Sequence, residues 1–225
     1  MESFTIAAPS GDIPATLFEP AQPRRTLILA HGAGAGQKHP WMRARAADLA
    51  DRGIRVITFD FPYITAGKRV PDRAPALLAT WRTVVEDVAG RHPAQVLAIG
   101  GKSMGGRMAT MLAADQDRPA VVRGCVALGY PLHPPGKPDQ LRVAHLGTIG
   151  VPVLVIQGER DPFGGPEEVA REFARAGAHP QVVPVPSGGH GFEVRARDAR
   201  QADVYASVAD TVTQWLDTLQ PSVAV

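Results

Sequence analysis

Between residues 96 and 114 a strand, a tight turn and a helix must follow one another, because the apolar pattern changes period across a single pentapeptide. Val96, Leu97, Ala98 and Ile99 form a short continuous apolar run, as expected of a parallel strand buried on both faces. Met104, Met108, Met111 and Leu112 then recur at helical spacing, with Ala109, Ala113 and Ala114 between them. The junction is Gly101-Lys102-Ser103-Met104-Gly105, a Gly-x-Ser-x-Gly sequence that reads as a nucleophile elbow. So sharp a turn forces the central serine into a strained backbone, and glycines two positions to either side leave room for it. Its hydroxyl then stands clear of the sheet edge, where only a neighbouring base makes it nucleophilic. A phosphate-binding loop would need glycine five residues before Gly101; that position is Val96, inside the strand, so no nucleotide cradle is expected.

The chain of 225 residues has room for one compact α/β domain, residues 1–225, that buries roughly 70% of its unfolded surface. A net charge of +2, spread without basic blocks, argues against nucleic acid or an anionic membrane as partner. The single cysteine, Cys125, excludes an internal disulfide, and its apolar neighbours predict a buried, inert thiol. The opening Met1-Glu2-Ser3-Phe4-Thr5-Ile6 lacks the charged and apolar regions of a signal peptide, and no apolar stretch reaches membrane-spanning length, so the expected location is the cytoplasm.

Phe4 and Ile6, then Leu17 and Phe18, flank Ser10-Gly11-Asp12 and predict an antiparallel strand pair. Strands are expected at Thr26 to Ala30, Val56 to Phe59, Val96 to Ile99, Cys125 to Leu128, Val153 to Ile156 and, more weakly, Val182 to Val185. Helical patterns lie near 41–52, 76–90, 104–114 and 166–176. A last helix carries Val204, Val208, Val212, Trp215, Leu216 and Leu219 on one face, and fraying is expected after residue 220. This alternation implies a mainly parallel sheet with helices on both faces. Residues 130–148 are too short for a lid domain and read as a loop bordering the site.

Of seven histidines, His190 stands in the glycine-rich stretch Ser187-Gly188-Gly189-His190-Gly191, after the last strand and before the final helix. That is the carboxyl edge where Ser103 also emerges, which makes His190 the expected base. Its partner carboxylate should follow the preceding strand; Asp161 is the choice and Glu159 the alternative, two residues away. Donors for an oxyanion are expected from the N–H of Met104 and of Ala33 in His31-Gly32-Ala33-Gly34-Ala35-Gly36. That loop does not complete a dinucleotide fingerprint, since Gln37 and His39 stand where the last glycine is needed. His31 is expected to order the loop by hydrogen bonding. His39, His92 and His179 read as surface residues, while His133 and His145 border the pocket at most. Lys102 and Arg107 either favour an anionic substrate or, the preferred reading, point into solvent or pair with acids.

The motifs His31-Gly32-Ala33-Gly34, Asp60-Phe61-Pro62-Tyr63, Gly101-Lys102-Ser103-Met104-Gly105-Gly106-Arg107, Gly129-Tyr130-Pro131-Leu132-His133-Pro134-Pro135-Gly136 and Gly158-Glu159-Arg160-Asp161-Pro162-Phe163-Gly164 resemble those of small α/β-hydrolases related to dienelactone hydrolase. The likeness extends to the hydrolase-like domain of a chromatin-associated non-specific-lethal complex subunit. It implies an α/β-hydrolase fold without a full lid domain and the order Ser103, Asp161, His190 of a catalytic triad. Dienelactone hydrolases proper carry cysteine where Ser103 stands, so lactone specificity does not transfer. The expected activity is cleavage of a small carboxylic ester or thioester through an acyl-enzyme, without metal or cofactor. The alternative is a non-catalytic protein of the same fold that binds a partner through the loop at 130–148.

Overall fold

A computed structural model describes the chain except Ser10, Gln95, Asp198 and residues 222–225. Of the expected turn Ser10-Gly11-Asp12 only Ser10 lies outside that description, and Gly11 N–H donates to Ala8 O at 3.0 Å; the expected fraying after residue 220 falls mostly on residues outside it.

Among the described residues eight strands form one sheet in the order β1-β2-β4-β3-β5-β6-β7-β8. β1 (Glu2–Ile6) and β2 (Ile13–Phe18) pair antiparallel, as does β2 with β4 (Ile54–Phe59). From β4 onward every pairing is parallel, through β3 (Arg25–Ala30), β5 (Leu97–Lys102), β6 (Val122–Leu128), β7 (Val153–Gly158) and β8 (Gln181–Val185). Helices α1 (Pro40–Ala50), α2 (Pro62–Thr65), α3 (Ala74–Arg91), α4 (Met104–Ala113), α5 (Pro166–Arg175) and α6 (Gln201–Thr218) complete the layers, with a 3₁₀ turn at Leu146–Thr148.

The apolar runs of the central strands divide by parity between two cores. Ile28 and Ala30 of β3, Leu97 and Ile99 of β5, and Cys125 and Ala127 of β6 face Trp81, Val84 and Val88 of α3 and Met108 and Leu112 of α4. Leu27, Leu29, Ala98, Val126 and Leu128 face the other way, onto Met42, Ala46 and Leu49 of α1 and Val208, Val212, Trp215 and Leu216 of α6. Cys125 is buried in the middle of this sheet, and burial pushes its thiol well above the ordinary range.

The predicted strands and the five long helices are present, with their ends shifted. β5 continues three residues past Ile99, through Gly100, Gly101 and Lys102, to the serine, and β6 begins three residues early, at Val122. α2, only four residues long, has no periodic pattern to announce it. Among the described residues no helix is long and apolar enough to cross a membrane.

Candidate active site

β3 and β5 are neighbours, yet the chain leaves β3 toward β4 on one side and leaves β5 toward β6 on the other. Loops that diverge in this way leave a crevice at the carboxyl edge of a parallel sheet. The loop after β3 and the serine after β5 both open into it.

Ser103 has φ 52° and ψ −115°, a left-handed conformation that a non-glycine residue holds at a cost on the order of 1–3 kcal/mol. The surroundings enforce it: Ser103 N–H donates to Leu128 O at 3.0 Å, and Arg107 N–H donates to Ser103 O at 2.9 Å as α4 begins. A side chain at Gly101 would lie 2.6 Å from Ala30 O, and one at Gly105 2.5 Å from the same oxygen, so the elbow closes against β3 only with glycine at both places.

The structure brings His190 and Asp161 together. His190 Nδ1 lies 2.7 Å from Asp161 Oδ2, and the Asp161 side chain is wholly shielded from solvent. Asp161 is held by two further donors, Phe163 N–H to Oδ1 at 2.9 Å and Gln157 Nε2 to Oδ2 at 3.0 Å. Gln157 also accepts from Tyr130 N–H and donates to Gly164 O, so one buried amide ties the ends of β6 and β7 to the carboxylate. With Nδ1–H engaged by Asp161, Nε2 is left as the acceptor, and Phe163 lies against the ring with centroids 4.3 Å apart. Glu159, the alternative acid, is directed elsewhere: its Oε2 accepts from Ser187 N–H at 2.8 Å and fixes the turn that opens the His190 loop.

On the opposite wall the loop after β3 is held from beneath. His31 is buried; Nδ1–H donates to Gly32 O at 2.7 Å and Nε2 accepts from Phe61 N–H at 3.1 Å. Both nitrogens are used in the neutral ring, and burial, opposed by the Gly32 contact and by Asp60, lowers the pKa of the imidazole. Tyr63 donates to Ala33 O at 3.1 Å, with its phenol pushed up to about 12 by burial and by Asp60 and Asp72. Asp60 Oδ1 accepts from Gln37 N–H at 2.7 Å, closing the loop at its far end. A methyl group at Gly32 would lie 3.7 Å from Ser103 Cβ, so this loop runs directly beside the serine.

Ser103 and His190 line one cavity of about 480 Å³ together with Gly32, Ala33, Trp41, Lys102 and Phe163. A larger groove of about 750 Å³ follows α5 past Glu159, Glu167 and Glu168, but it has no nucleophile–base pair and is not the candidate site. His39, expected at the surface, is exposed yet reaches the cavity rim, where its Nδ1 accepts from Trp41 N–H and caps α1. His133 and His145 are occupied away from the cavity lining: His133 lies 3.4 Å from Glu168, and His145 contacts Thr110 Oγ1 at 2.9 Å. Burial and Arg107 push His145 down to about 4.

One expectation is corrected. Lys102 neither points into solvent nor forms an ion pair with an acid among the described residues; its Nζ donates to the main-chain carbonyl of His190. Strand alternation alone could not reveal this, because the elbow breaks the alternation at the next residue. Nothing in the residue order assigns Trp41 or Phe163 to the site. Gln157 carried a signal, a lone amide ending the apolar run Val153 to Ile156, where a buried polar group must have a partner.

The fold and this crevice define an α/β-hydrolase without a lid domain. The chain belongs to the alpha/beta hydrolase domain family, whose model matches residues 23–217. Solved structures with the same fold include an α/β serine hydrolase without lid from Xanthomonas campestris, at 21% identity over 99% of this chain and 96% of that one, TM-score 0.73. Another is dienelactone hydrolase from Anabaena variabilis, at 19% identity over 97% of both chains, TM-score 0.74. A third is Est1E from Butyrivibrio proteoclasticus with ferulic acid bound, at 18% identity over 96% of this chain and all of that one, TM-score 0.72. The further likeness to a chromatin-complex subunit rests on sequence motifs alone.

Proposed function

We propose that this chain is a serine hydrolase that cleaves a small carboxylic ester or thioester. The observation that carries the reading is the 2.7 Å contact of His190 with the buried Asp161, in the wall of the cavity that Ser103 lines. His190 Nε2 takes the Ser103 proton as Oγ attacks the substrate carbonyl, while Asp161 holds the ring and offsets the imidazolium charge that develops. The N–H groups of Met104 and Ala33 receive the oxyanion, and Tyr63 and His31 keep the second of these donors in place. Collapse of the tetrahedral species passes the proton to the departing alcohol or thiol. Water then enters, gives its proton to the same imidazole and releases the acid from Ser103.

Solved structures of this fold that are named esterases support the chemistry, and the cavity of about 480 Å³, open to solvent without a lid, suits short acyl groups. The test is labelling with a fluorophosphonate probe and hydrolysis of p-nitrophenyl esters of increasing acyl length. The chain should label at Ser103 and prefer acetate to butyrate over palmitate. Ser103→Ala should abolish labelling and reduce turnover on the order of 10⁶-fold. A folded chain that fails to label would overturn the reading and favour an interaction protein built on the same fold.

A further inference from the structure

Lys102 fills the variable position before the serine, and the acyl-transfer sequence proposed above makes no use of it. Its ammonium nevertheless sits in the heart of the site. Nζ donates to the carbonyl oxygen of His190, 5.6 Å from the Trp41 ring centroid and 6.0 Å from that of Phe192. Trp41 takes the next carbonyl of the loop, its Nε1–H donating to Gly191 O at 3.0 Å. Room for the lysine depends on Gly129 at the end of β6, with φ 69°: a methyl group there would lie 3.3 Å from Nζ and 2.8 Å from His190 O.

This is an expensive place for a charge. The ammonium is largely removed from water, and burial lowers it to about 8 against the opposing pull of Asp161 and then Glu193. Those carboxylates act through space, and the hydrogen bond goes to a neutral carbonyl. A lysine placed for solubility would be extended into solvent. A group held inward at this cost acts on what it touches, and what it touches is the main chain of the proposed base.

We infer that Lys102 is a positioning residue for His190: it ties the main chain of the base to the strand end that carries the nucleophile. The inference rests on the reading of Ser103, His190 and Asp161 as a catalytic unit. His190 is then fixed at two points, its ring by Asp161 and its backbone by Lys102. Glu193, whose Oε2 accepts from Gly191 N–H at 2.8 Å, is the other charge facing the lysine.

Three variants test the tether. Lys102→Met removes it, Lys102→Gln keeps a shorter donor, and Lys102→Arg keeps a donor of full reach. On p-nitrophenyl acetate, Lys102→Met should lose kcat by about 10- to 100-fold with KM changed by less than about threefold, and Lys102→Arg should stay within about threefold of the wild type. The His190 resonances followed by NMR should shift and broaden in Lys102→Met and stay near their wild-type positions in Lys102→Arg. Wild-type kcat and unmoved His190 resonances in Lys102→Met would overturn the inference. A change confined to KM would make Lys102 a substrate contact instead. Should Lys102→Met fail to fold, the Gln and Arg variants carry the same comparison. The NMR readout needs no turnover: a chain inert toward fluorophosphonate in which His190 still shifts would fail the esterase reading and leave the assignment of Lys102 standing.

Discussion

The loop after β3 and the loop after β8 face each other across Ser103 and are secured by different kinds of group. The first rests on buried side chains, with His31, Gln37, Asp60 and Tyr63 beneath it, each satisfied by main-chain partners. The second, residues 187–193, is secured largely by charged side chains, Glu159 on Ser187, Glu193 on Gly191 and the shielded Lys102 on His190, with Trp41 Nε1–H donating to Gly191 O. The wall proposed to hold the oxyanion therefore rests on buried groups of its own, whereas the wall that carries the proposed base anchors Phe192 in the core and takes its other supports from side chains of distant segments. Damage to the first should register mainly as lost stability, and damage to the second mainly as lost turnover.

The strongest test of that division is Asp161→Asn, which keeps the shape but offers the imidazole the wrong partner. Its kcat should fall by about 10³- to 10⁴-fold while urea denaturation shows a much smaller relative change. Next, His31→Leu strands the Phe61 N–H and the Gly32 carbonyl in a dry site. It should cost about 2–4 kcal/mol in urea denaturation, with the surviving folded fraction still reacting with fluorophosphonate. If this variant were as stable as the wild type but inactive, the contrast between the loops would fail.

Acid should also reach the first loop through stability. The His31 ring is lowered in the folded chain, so the unfolded chain takes up a proton first as the pH falls. The stability tied to its neutral form is complete above the unfolded value of about 6.5 and is lost below it. His145, pushed down to about 4, extends the decline to that pH. Denaturation midpoints measured from pH 7 to pH 4.5 should fall, and His145→Gln should flatten part of the slope. A smaller effect is expected for Trp41→Phe, which loses one hydrogen bond to the His190 loop worth about 1 kcal/mol, or about fivefold in kcat. Glu159→Gln should be smallest, within about twofold in kcat, because its contact with Ser187 survives in the amide; a loss comparable to Asp161→Asn would reverse the assignment of the acid.

Much of this architecture could be read from residue order. The change of period at Gly101 to Gly105 and the continuous apolar strands are local signals, matched by the positive φ of Ser103 and by burial. In the glycine-rich stretches after β3 and β8 the glycines answer to space instead: a methyl group at Gly36, Gly188 or Gly189 would lie within 2.7 Å of a neighbouring atom, while positive φ falls on Ser187 and Phe192. The choice between Asp161 and Glu159 was not local. It depends on how β7 and β8 splay at their ends, and only the pairing that runs Gly158 alongside Val185 decides which carboxylate meets the imidazole. Lys102 is illegible for a related reason: a lysine beside a serine looks alike whether it extends into water or folds over a glycine at the end of the neighbouring strand. Nor does a hydrophobicity pattern register Phe163, whose contact with His190 arises from a loop.

Cys125 has a use that its inert chemistry conceals. It is the only thiol in the chain, it sits at the centre of the sheet between the two helical layers, and burial keeps it protonated. A thiol reagent can reach it only when strands part or helices lift, so the rate of its modification times the opening of the molecule. The protein thus carries a built-in clock for its own breathing, readable by mass spectrometry without attaching any label to the surface.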